Sequence, residues 1–412
     1  DLARLDYVCA HGLLTWIAPE KRSSLFEQAA ARLKPGGLLY LGYNALPGWA
    51  AVEPLRRLMR DVSADVEGGS AARVRQALAA AKLLCEANAE YFVANPSAKE
   101  ILTVMLEQGV PYAAHEFFNP HWHPMYFADV AAEAAPFDLR FVGQLPLHLN
   151  YGDLMIAPPL RDAFRPVTDR RAWEHLRAFA TNEFFRRDVY VKGSVAQAQS
   201  TASAYLDTTA FGTLVPAEEV EREIALPSRS LHFKGPLFDA VIATLAARSS
   251  TVEQLATAPA LASFGADAIR QAVLQLLMGN HVIPMHSAPA TPQSTGSRHH
   301  IPSAFNRAIL TQPLSRKHPI VLASPVAGTG VSTPMLDAVL LRALTEAHPN
   351  ERPAWIRAFV DANPLRISDH GRTLNAKDDL AQVVEVQLEQ FCATRLPKLL
   401  ELGIVERGED GR

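Results

Sequence analysis

Polar side chains end two apolar segments near the beginning of the chain. His11 follows residues 5–10, and Tyr43 and Asn44 end the apolar run 38–43. An imidazole can orient an amine or accept its proton, and a phenol hydroxyl and a carboxamide can hydrogen-bond a substrate. The sequence therefore predicts catalytic roles for His11, Tyr43 and Asn44. The alternatives are a turn histidine bonded to the backbone and a turn asparagine.

The two apolar runs have the composition of buried parallel strands. A helix is predicted between them, because Pro19 lies near its start and Pro35-Gly36-Gly37 follows its end. A strand, a helix and a second strand form a parallel unit, and such sheets bind ligands at the carboxyl ends of their strands. We therefore expect the polar strand ends to face one cleft.

Two tryptophans lie close to these strand ends. Aromatic rings attract cations and exclude water, so Trp16 is a candidate wall of a channel for an amine. The alternative is that Trp16 packs on the crossover helix. Trp49 follows the second strand, where a hinge between the sheet and the next segment is the favoured interpretation.

Residues 115–127 form a stretch rich in aromatic residues and histidines. We expect its aromatic side chains, Trp122 among them, to pack over the sheet. His115, Glu116 and Asn119 are then expected to form a polar edge that faces the mouth of the cleft. Their alternative is an ordinary solvated surface.

The same stretch also raises the question of a metal site. His115, His121 and His123 are not spaced as a helical histidine pair, and no cysteine accompanies them. The sequence therefore predicts no bound metal.

Composition excludes several classes of function. The 412 residues carry 40 Lys and Arg against 43 Asp and Glu, a net charge of −3, so no basic surplus indicates nucleic-acid binding. The apolar runs are far shorter than a membrane span, and no secretory signal is recognisable. Three widely spaced cysteines fit a reducing compartment. We expect a cytoplasmic protein that binds neither nucleic acid nor membranes.

The order of predicted elements indicates an α/β plus α protein with a partial Rossmann-like sheet. The expected parts are residues 1–53 for half of that sheet domain, 54–135 for a helical insertion, 136–192 for the return to the sheet and a connecting helix, 193–230 for a linker, 231–290 for a winged-helix-like module and 301–412 for a C-terminal helical module. The last two modules could be a diverged repeat.

Three separated segments carry a family resemblance. They are residues 6–17 (DYVCAHGLLTWI), 33–37 (LKPGG) and 43–49 (YNALPGW). In this order they resemble a bacterial family, the class I S-adenosyl-L-methionine (AdoMet)-dependent methyltransferases that carry a methyltransferase regulatory domain. The family includes rickettsial protein lysine methyltransferases. Residues 115–119 and Trp122 are similar to its regulatory insertion.

The resemblance implies AdoMet as the cofactor, bound near Ala10 and His11, and a protein lysine as the methyl acceptor. It implies substrate contacts by the residues Trp16, Trp49, His115, Glu116, Asn119 and Trp122. The family's glycine-rich cofactor loop and its acidic ribose-binding residue would both precede Asp1. The resemblance thus implies that these 412 residues form only part of the cofactor site and that an intact parent is needed for activity.

Two other classes of function remain open at this stage. One is a non-catalytic interaction protein. The other is a winged-helix DNA binder, for which Arg170-Arg171, Arg186-Arg187 and residues 298–300 are local basic spots. Solvated helix ends and linkers are the favoured interpretation of these spots. Because winged helices also bind proteins, we expect a protein substrate and consider a homodimer.

Overall fold

The computed structural model describes residues 3–193, 199–287, 298–312, 320–362, 368–369, 372–373 and 377–408. These residues form two compact units. The first unit is Asp1–Ala196 with Leu226–Arg229, and the second is Gln197–Ala225 with Ser230–Arg412.

The first unit combines four strands with helices. In chain order its elements are β1 (Leu5–His11), α1 (Leu13–Trp16), α2 (Pro19–Arg32), β2 (Leu33–Asn44), α3 (Glu53–Asp61), α4 (Ser70–Glu86), α5 (Glu90–Ala94), α6 (Pro96–Gln108), α7 (Val110–Phe117), α8 (Phe127–Ala134), β3 (Leu139–Gln144), α9 (Gly152–Met155), α10 (Arg161–Phe164), α11 (Arg170–Ala180) and β4 (Phe185–Lys192).

The strands form one mixed sheet in the order β1-β2-β4-β3. β1 and β2 are parallel and joined by α2, as the sequence predicts, with His11 opposite Gly42. The expected returning strand is β3. It reaches the sheet through β4, which is antiparallel to both β2 and β3. β4 was not predicted, because Phe185-Arg186-Arg187-Asp188 is too polar to resemble a buried strand.

The two faces of the sheet differ sharply in burial. Leu39, Leu41 and Tyr190 are fully buried in a core to which α2 and α8 also contribute. Alternate residues of a strand point to the opposite face, and there Tyr7 is 70% exposed and Cys9 is exposed. Within the described residues β1 pairs with β2 alone, so β1 is one edge strand of this sheet and β3 is the other.

The predicted helical insertion is present as α3 to α8. Helices α3 to α7 enclose a hydrophobic core of their own, built around Trp49, Leu55, Phe117 and Trp122, while α8 packs on the sheet. A backbone bridge between Ala45 and Met125 ties the start of the insertion to its end. The insertion therefore leaves and rejoins the sheet beside the end of β2.

The second unit is mainly helical. Its elements are α12 (Gln199–Thr208), β5 (Phe211–Gly212), β6 (Glu223–Ile224), β7 (Leu231–His232), α13 (Pro236–Ala247), α14 (Val252–Thr257), α15 (Ala266–Met278), β8 (Ile283–Pro284), β9 (His299–His300), α16 (Ala304–Thr311), β10 (Ile320–Ser324), β11 (Thr329–Thr333), α17 (Met335–Glu346), α18 (Arg352–Ala362), β12 (Ser368–Asp369), β13 (Arg372–Thr373), α19 (Lys377–Glu401) and β14 (Glu406–Arg407).

Helices α13, α14 and α15 followed by β8 match the element order that suggested a winged-helix-like module. β8 pairs with β5, which precedes those helices, and β14 likewise pairs with β9, which precedes α16 to α19. In both modules the last short strand thus pairs with the strand that precedes the helices. The winged helix and the repeat stay predictions. Residues 199–208, assigned to a linker, form α12 instead.

Residues 325–328 form the turn of the hairpin β10–β11, and residues 329–330 begin β11. Residues 288–297, where the two predicted C-terminal modules meet, lie outside the described part of the chain. Among the helices that are described, none is both long and apolar enough to cross a bilayer.

Candidate functional site

Asn44 is the centre of the polar groups at the carboxyl edge of the sheet. Its backbone N–H donates to Thr15 Oγ1 at 2.9 Å, and its carbonyl accepts from the Met125 N–H at 3.0 Å. Its side-chain Nδ2 donates to Glu116 Oε1 at 2.9 Å. Asn44 is 5% exposed. The asparagine is therefore held by α1, by the end of the insertion and by α7 at once.

Glu116 lies in the last turn of α7 and brings a carboxylate to this edge. It is 9% exposed. Burial raises the pKa of Glu116, although the hydrogen bond from Asn44 and the charge of His115 oppose the shift. Among the described residues it forms no ion pair with Lys or Arg. A nearly buried carboxylate with one amide donor can hold an ammonium group or accept its proton.

Trp16 and His115 lie on the outer side of this pair. Their ring centroids are 4.9 Å apart, and His115 is exposed. Gly12 has a left-handed backbone with φ of 75°, and a Cβ on it would approach the Trp16 ring to 2.6 Å. Gly12 thus lets the indole fold back towards the end of β1. The structure brings Trp16, Asn44, His115 and Glu116 together, as expected.

His11 lies one strand away from Asn44 on the open face of the sheet. It is exposed, its Nδ1 is 2.9 Å from Tyr40 Oη, and its ring is 5.3 Å from that of Phe185. A Cβ on Gly42 would lie 2.6 Å from His11 Nδ1, so the His11 ring packs closely over the backbone of Gly42. Ala10, expected beside the cofactor, turns its side chain into the core.

The expectation that Tyr43 faces this cleft is wrong. Tyr43 is fully buried on the opposite face from Gly42 and His11, because neighbouring residues of a strand alternate. Its hydroxyl donates to Asp188 Oδ2 at 2.6 Å. Burial and the charge of Asp188 raise the pKa of Tyr43 well above its usual value. A phenol in this environment is structural.

Asp188 belongs to a buried ionic network that the sequence interpretation missed. Arg186 is fully buried and pairs with Asp188 at 2.9 Å, with Glu183 at 2.7 Å and with Glu174 at 3.0 Å. Arg177 is also buried and pairs with Glu174 at 2.8 Å. Arg186 is therefore no solvated basic spot. The alternation Arg186, Asp188, Tyr190 along one strand was the available signal.

Three further candidates lie mainly within the insertion. Trp49 and Trp122 are 6% and 4% exposed, and their rings meet edge to face at 5.5 Å. Asn119 Oδ1 accepts from the His121 backbone, which closes a tight turn. Trp49 and Trp122 are thus first of all core residues, and Trp49 occupies the expected hinge. No group of metal-ligating side chains occurs in the part of the chain that the structure describes.

Comparison with known proteins adds the family context. Residues 110–192 match the sequence family described as "Predicted methyltransferase regulatory domain", a range that runs from α7 to the end of β4. An uncharacterized protein of Synechocystis, sll1526, is 28% identical over 405 residues, which is 98% of this chain and 79% of that protein. The uncharacterized protein RP789 of Rickettsia prowazekii is 26% identical over 191 residues, 45% of this chain and 34% of that protein.

Solved structures show the same architecture. PKMT2 from Rickettsia typhi in complex with AdoHcy aligns with a TM-score of 0.68 at 16% identity, over 98% of this chain and 81% of that one. A second structure of PKMT2 from Rickettsia typhi aligns with a TM-score of 0.66 at 17% identity, over 97% of this chain and 81% of that one. The expected resemblance to AdoMet-dependent methyltransferases that carry a regulatory domain is therefore confirmed at the level of the fold.

Proposed function

We propose that this protein is an AdoMet-dependent methyltransferase that methylates lysine side chains of a protein substrate. One observation carries the proposal. At the carboxyl edge of a parallel strand pair, where such sheets bind ligands, Asn44 fixes a carboxylate whose pKa is raised, and the Trp16 and His115 rings lie beside it. The fold shared with PKMT2 supports the proposal, because PKMT2 binds AdoHcy, the form that AdoMet takes after losing its methyl group.

The residues at this edge fit the reacting end of AdoMet, which supplies an electrophilic methyl group on a sulfonium. Aromatic rings and a carboxylate both attract a cation such as this sulfonium. A glycine-rich turn and an acidic strand end for the nucleoside are not found among the residues described in the first unit.

The acceptor lysine must lose a proton before its nitrogen can attack. A lysine that enters this edge leaves bulk water, which favours its neutral amine. Glu116 is placed to take that proton, because burial makes its carboxylate a stronger base. Asn44 fixes the orientation of the carboxylate, and the Trp16 ring excludes water from one side. His11 is the alternative base on the open face of the sheet.

Methyl transfer by the full-length protein tests the proposal. Purified protein, labelled AdoMet and lysine-rich proteins should give labelled protein, and blocking the lysines of the substrate beforehand should abolish the label. E116Q should lower kcat/KM about 100-fold, the size of effect typical of a lost general base. E100Q, on the exposed side of α6 in the same insertion, is the matched control and should keep wild-type activity.

Two outcomes would contradict this function. One is the absence of transfer to any protein by wild-type enzyme that binds AdoMet. The other is label that survives lysine blocking, which would move the acceptor to another side chain. An E116Q variant with full activity would leave the enzyme class standing and remove Glu116 from the mechanism.

We further propose that the second unit recognises the protein substrate or pairs two copies of the chain. Its modules are small helical bodies of the kind that bind proteins, and we expect neither nucleic acid nor membranes as partners. A cytoplasmic location remains part of this proposal. Light scattering of the full-length protein, alone and with substrate, distinguishes a monomer, a dimer and a substrate complex.

A further inference from the structure

A half-buried arginine in the insertion has a stacking partner but no ion-pair partner. The guanidinium of Arg56, on α3, lies 4.9 Å from the centre of the Trp122 ring, and its Nη2 donates to the Asn119 carbonyl. Within the described residues Arg56 forms no ion pair, and its Nε has no acceptor. Burial and the neighbouring Arg60 lower the pKa of Arg56 to about 10, so it stays charged at neutral pH.

A second unpartnered hydrogen-bond donor and several basic side chains lie beside Arg56. The Trp122 indole N–H is buried without a hydrogen-bond partner, on a side chain that is 4% exposed. Burial lowers the pKa of His123, and the charges of Arg22, His121 and Arg56 lower it further, so these cations lie close together. Arg22 is already paired with Glu133 at 3.2 Å.

Arg56 is the charged side chain of this group that lacks an ion pair among the described residues. Glu53, on α3, is the carboxylate whose charge acts on both Arg56 and His123, and it pairs with neither among the described residues. Buried donors without acceptors and a desolvated cation without an anion both carry a free-energy cost. A carboxylate from outside would supply the missing anion to the Arg56 guanidinium. His121 and His123 are exposed, so the group is open to solvent.

The group is continuous with the candidate active site. The His123 N–H donates to the Thr15 carbonyl at 2.9 Å, and Thr15 Oγ1 accepts from the Asn44 backbone. Trp122 contacts Trp49, and Trp49 contacts Phe117, the neighbour of Glu116. A peptide that places a lysine at Glu116 can therefore extend towards Arg56.

We infer that Arg56, Trp122 and His123 form a subsite for an acidic side chain of the substrate protein, close in sequence to the lysine that is methylated. The inference rests on the proposed function and adds to it a substrate class: lysines flanked by Asp or Glu. Lysines in purely basic surroundings are disfavoured, because the same cations repel them.

Binding and turnover of paired peptides test the subsite. Each pair holds one lysine and differs by a single Asp or Asn, which is moved through the positions on either side of the lysine. Fluorescence anisotropy gives Kd, and transfer of labelled methyl groups gives kcat/KM. We expect one position at which Asp binds about tenfold more tightly than Asn.

Variants of two neighbouring arginines separate the subsite from the rest of α3. R56Q should weaken binding of the best Asp peptide about tenfold and leave its Asn counterpart unchanged, and R56K should keep part of the preference. R57Q is the matched control, because Arg57 is 80% exposed and pairs with Asp61. It should behave as wild type. Thermal unfolding of each variant checks that α3 remains folded.

The outcomes are distinguishable. If no position prefers Asp over Asn in the binding assay, the subsite is refuted, whatever the turnover. If R56Q weakens both members of the pair equally, Arg56 has only a structural role and the subsite is likewise refuted. If Asp is preferred in binding but no methyl group is transferred, the proposed function fails and the acidic subsite stands.

Discussion

Tyr43 and Asn44 are adjacent in β2, yet they belong to two very different polar clusters. Tyr43 points into a network in which every charged group has an opposite charge at 3.3 Å or less, with Arg186 and Asp188 at its centre. Asn44 points to an edge where Glu116 has one amide donor and forms no ion pair with Lys or Arg among the described residues. In the first cluster every charge is paired with an opposite charge, whereas in the second the carboxylate is not.

The difference separates polar groups that stabilise the fold from polar groups that can bind a ligand or exchange a proton. Saturated buried charges hold elements in place, and removing one of them leaves its partner uncompensated. The network joins β4 to α11 in this way. An unsaturated carboxylate with a raised pKa keeps a capacity to bind or to accept a proton, which is the property expected of an active site. Four experiments test whether the two clusters differ in this way.

The largest effect is expected from the removal of Arg186. R186M should lower the free energy of unfolding by about 3–5 kcal/mol, because Asp188, Glu183 and Glu174 lose their shared cation. Urea unfolding measures it. R187M is the control: Arg187 is exposed on the other face of β4, and its loss should cost less than about 0.5 kcal/mol. Equal effects of the two substitutions would refute the central role of Arg186.

The second effect concerns Tyr43. Y43F removes the hydroxyl that donates to Asp188 and should cost about 1.5–3 kcal/mol, the usual range for a hydrogen bond to a charged group. Methyl transfer below the unfolding temperature should stay at the wild-type level. A variant that is stable but inactive would return Tyr43 to the active site and overturn its assignment to the network.

The third effect is a pH dependence. Burial raises the pKa of Asp188 from 3.8 to about 6, although Arg186 and Tyr43 oppose the shift. Between these values the folded protein holds a proton that the unfolded chain releases, so the free energy of unfolding falls as the pH rises through this window. One such group contributes at most about 1.4 kcal/mol per pH unit.

D188N lacks this group, so its unfolding free energy should fall less steeply than that of the wild type between pH 4 and 6. Glu174 acts in the opposite direction, because Arg177 and Arg186 outweigh burial and lower its pKa. The difference between the two pH profiles therefore isolates Asp188. Parallel profiles would show that Asp188 does not titrate in this window.

The smallest effect is expected at the edge. E116Q should leave the free energy of unfolding unchanged or raise it by up to about 1 kcal/mol, because it removes a charge that burial disfavours and keeps an acceptor for Asn44. Unfolding at neutral pH measures it, with E100Q as the reference. A clear loss of stability would place Glu116 with the structural charges.

Local patterns predicted the elements whose own residues determine them. β1, α2 and β2 follow from apolar runs bounded by Pro19 and by glycines, and the insertion follows from helical periodicity. β4 was missed because the burial of Arg186 depends on Glu183, three residues before it, and on Glu174 of the preceding helix α11. The alternation along the strand was visible, but the sequence does not show that these carboxylates fold back to neutralise the arginine.

The site was predicted in part for the same reason. Asn44, Glu116, Trp16 and His115 meet because two expectations, parallel strands and an insertion that packs over their ends, are both correct. The error over Tyr43 was avoidable, since residues 43 and 44 of one strand cannot both face the same side. The pairing of Asn44 with Glu116 needed the tertiary structure, because α7 contributes its carboxylate from 72 residues away.

The bridge between Ala45 and Met125 has a consequence for evolution and design. A segment whose two ends are neighbours in space can lengthen, shorten or be exchanged at little entropic cost to the domain that carries it. The helices between these residues form a cassette with its own core. We expect that exchanging such cassettes between homologues would transfer the proposed substrate preference while β1 and β2 remained as they are.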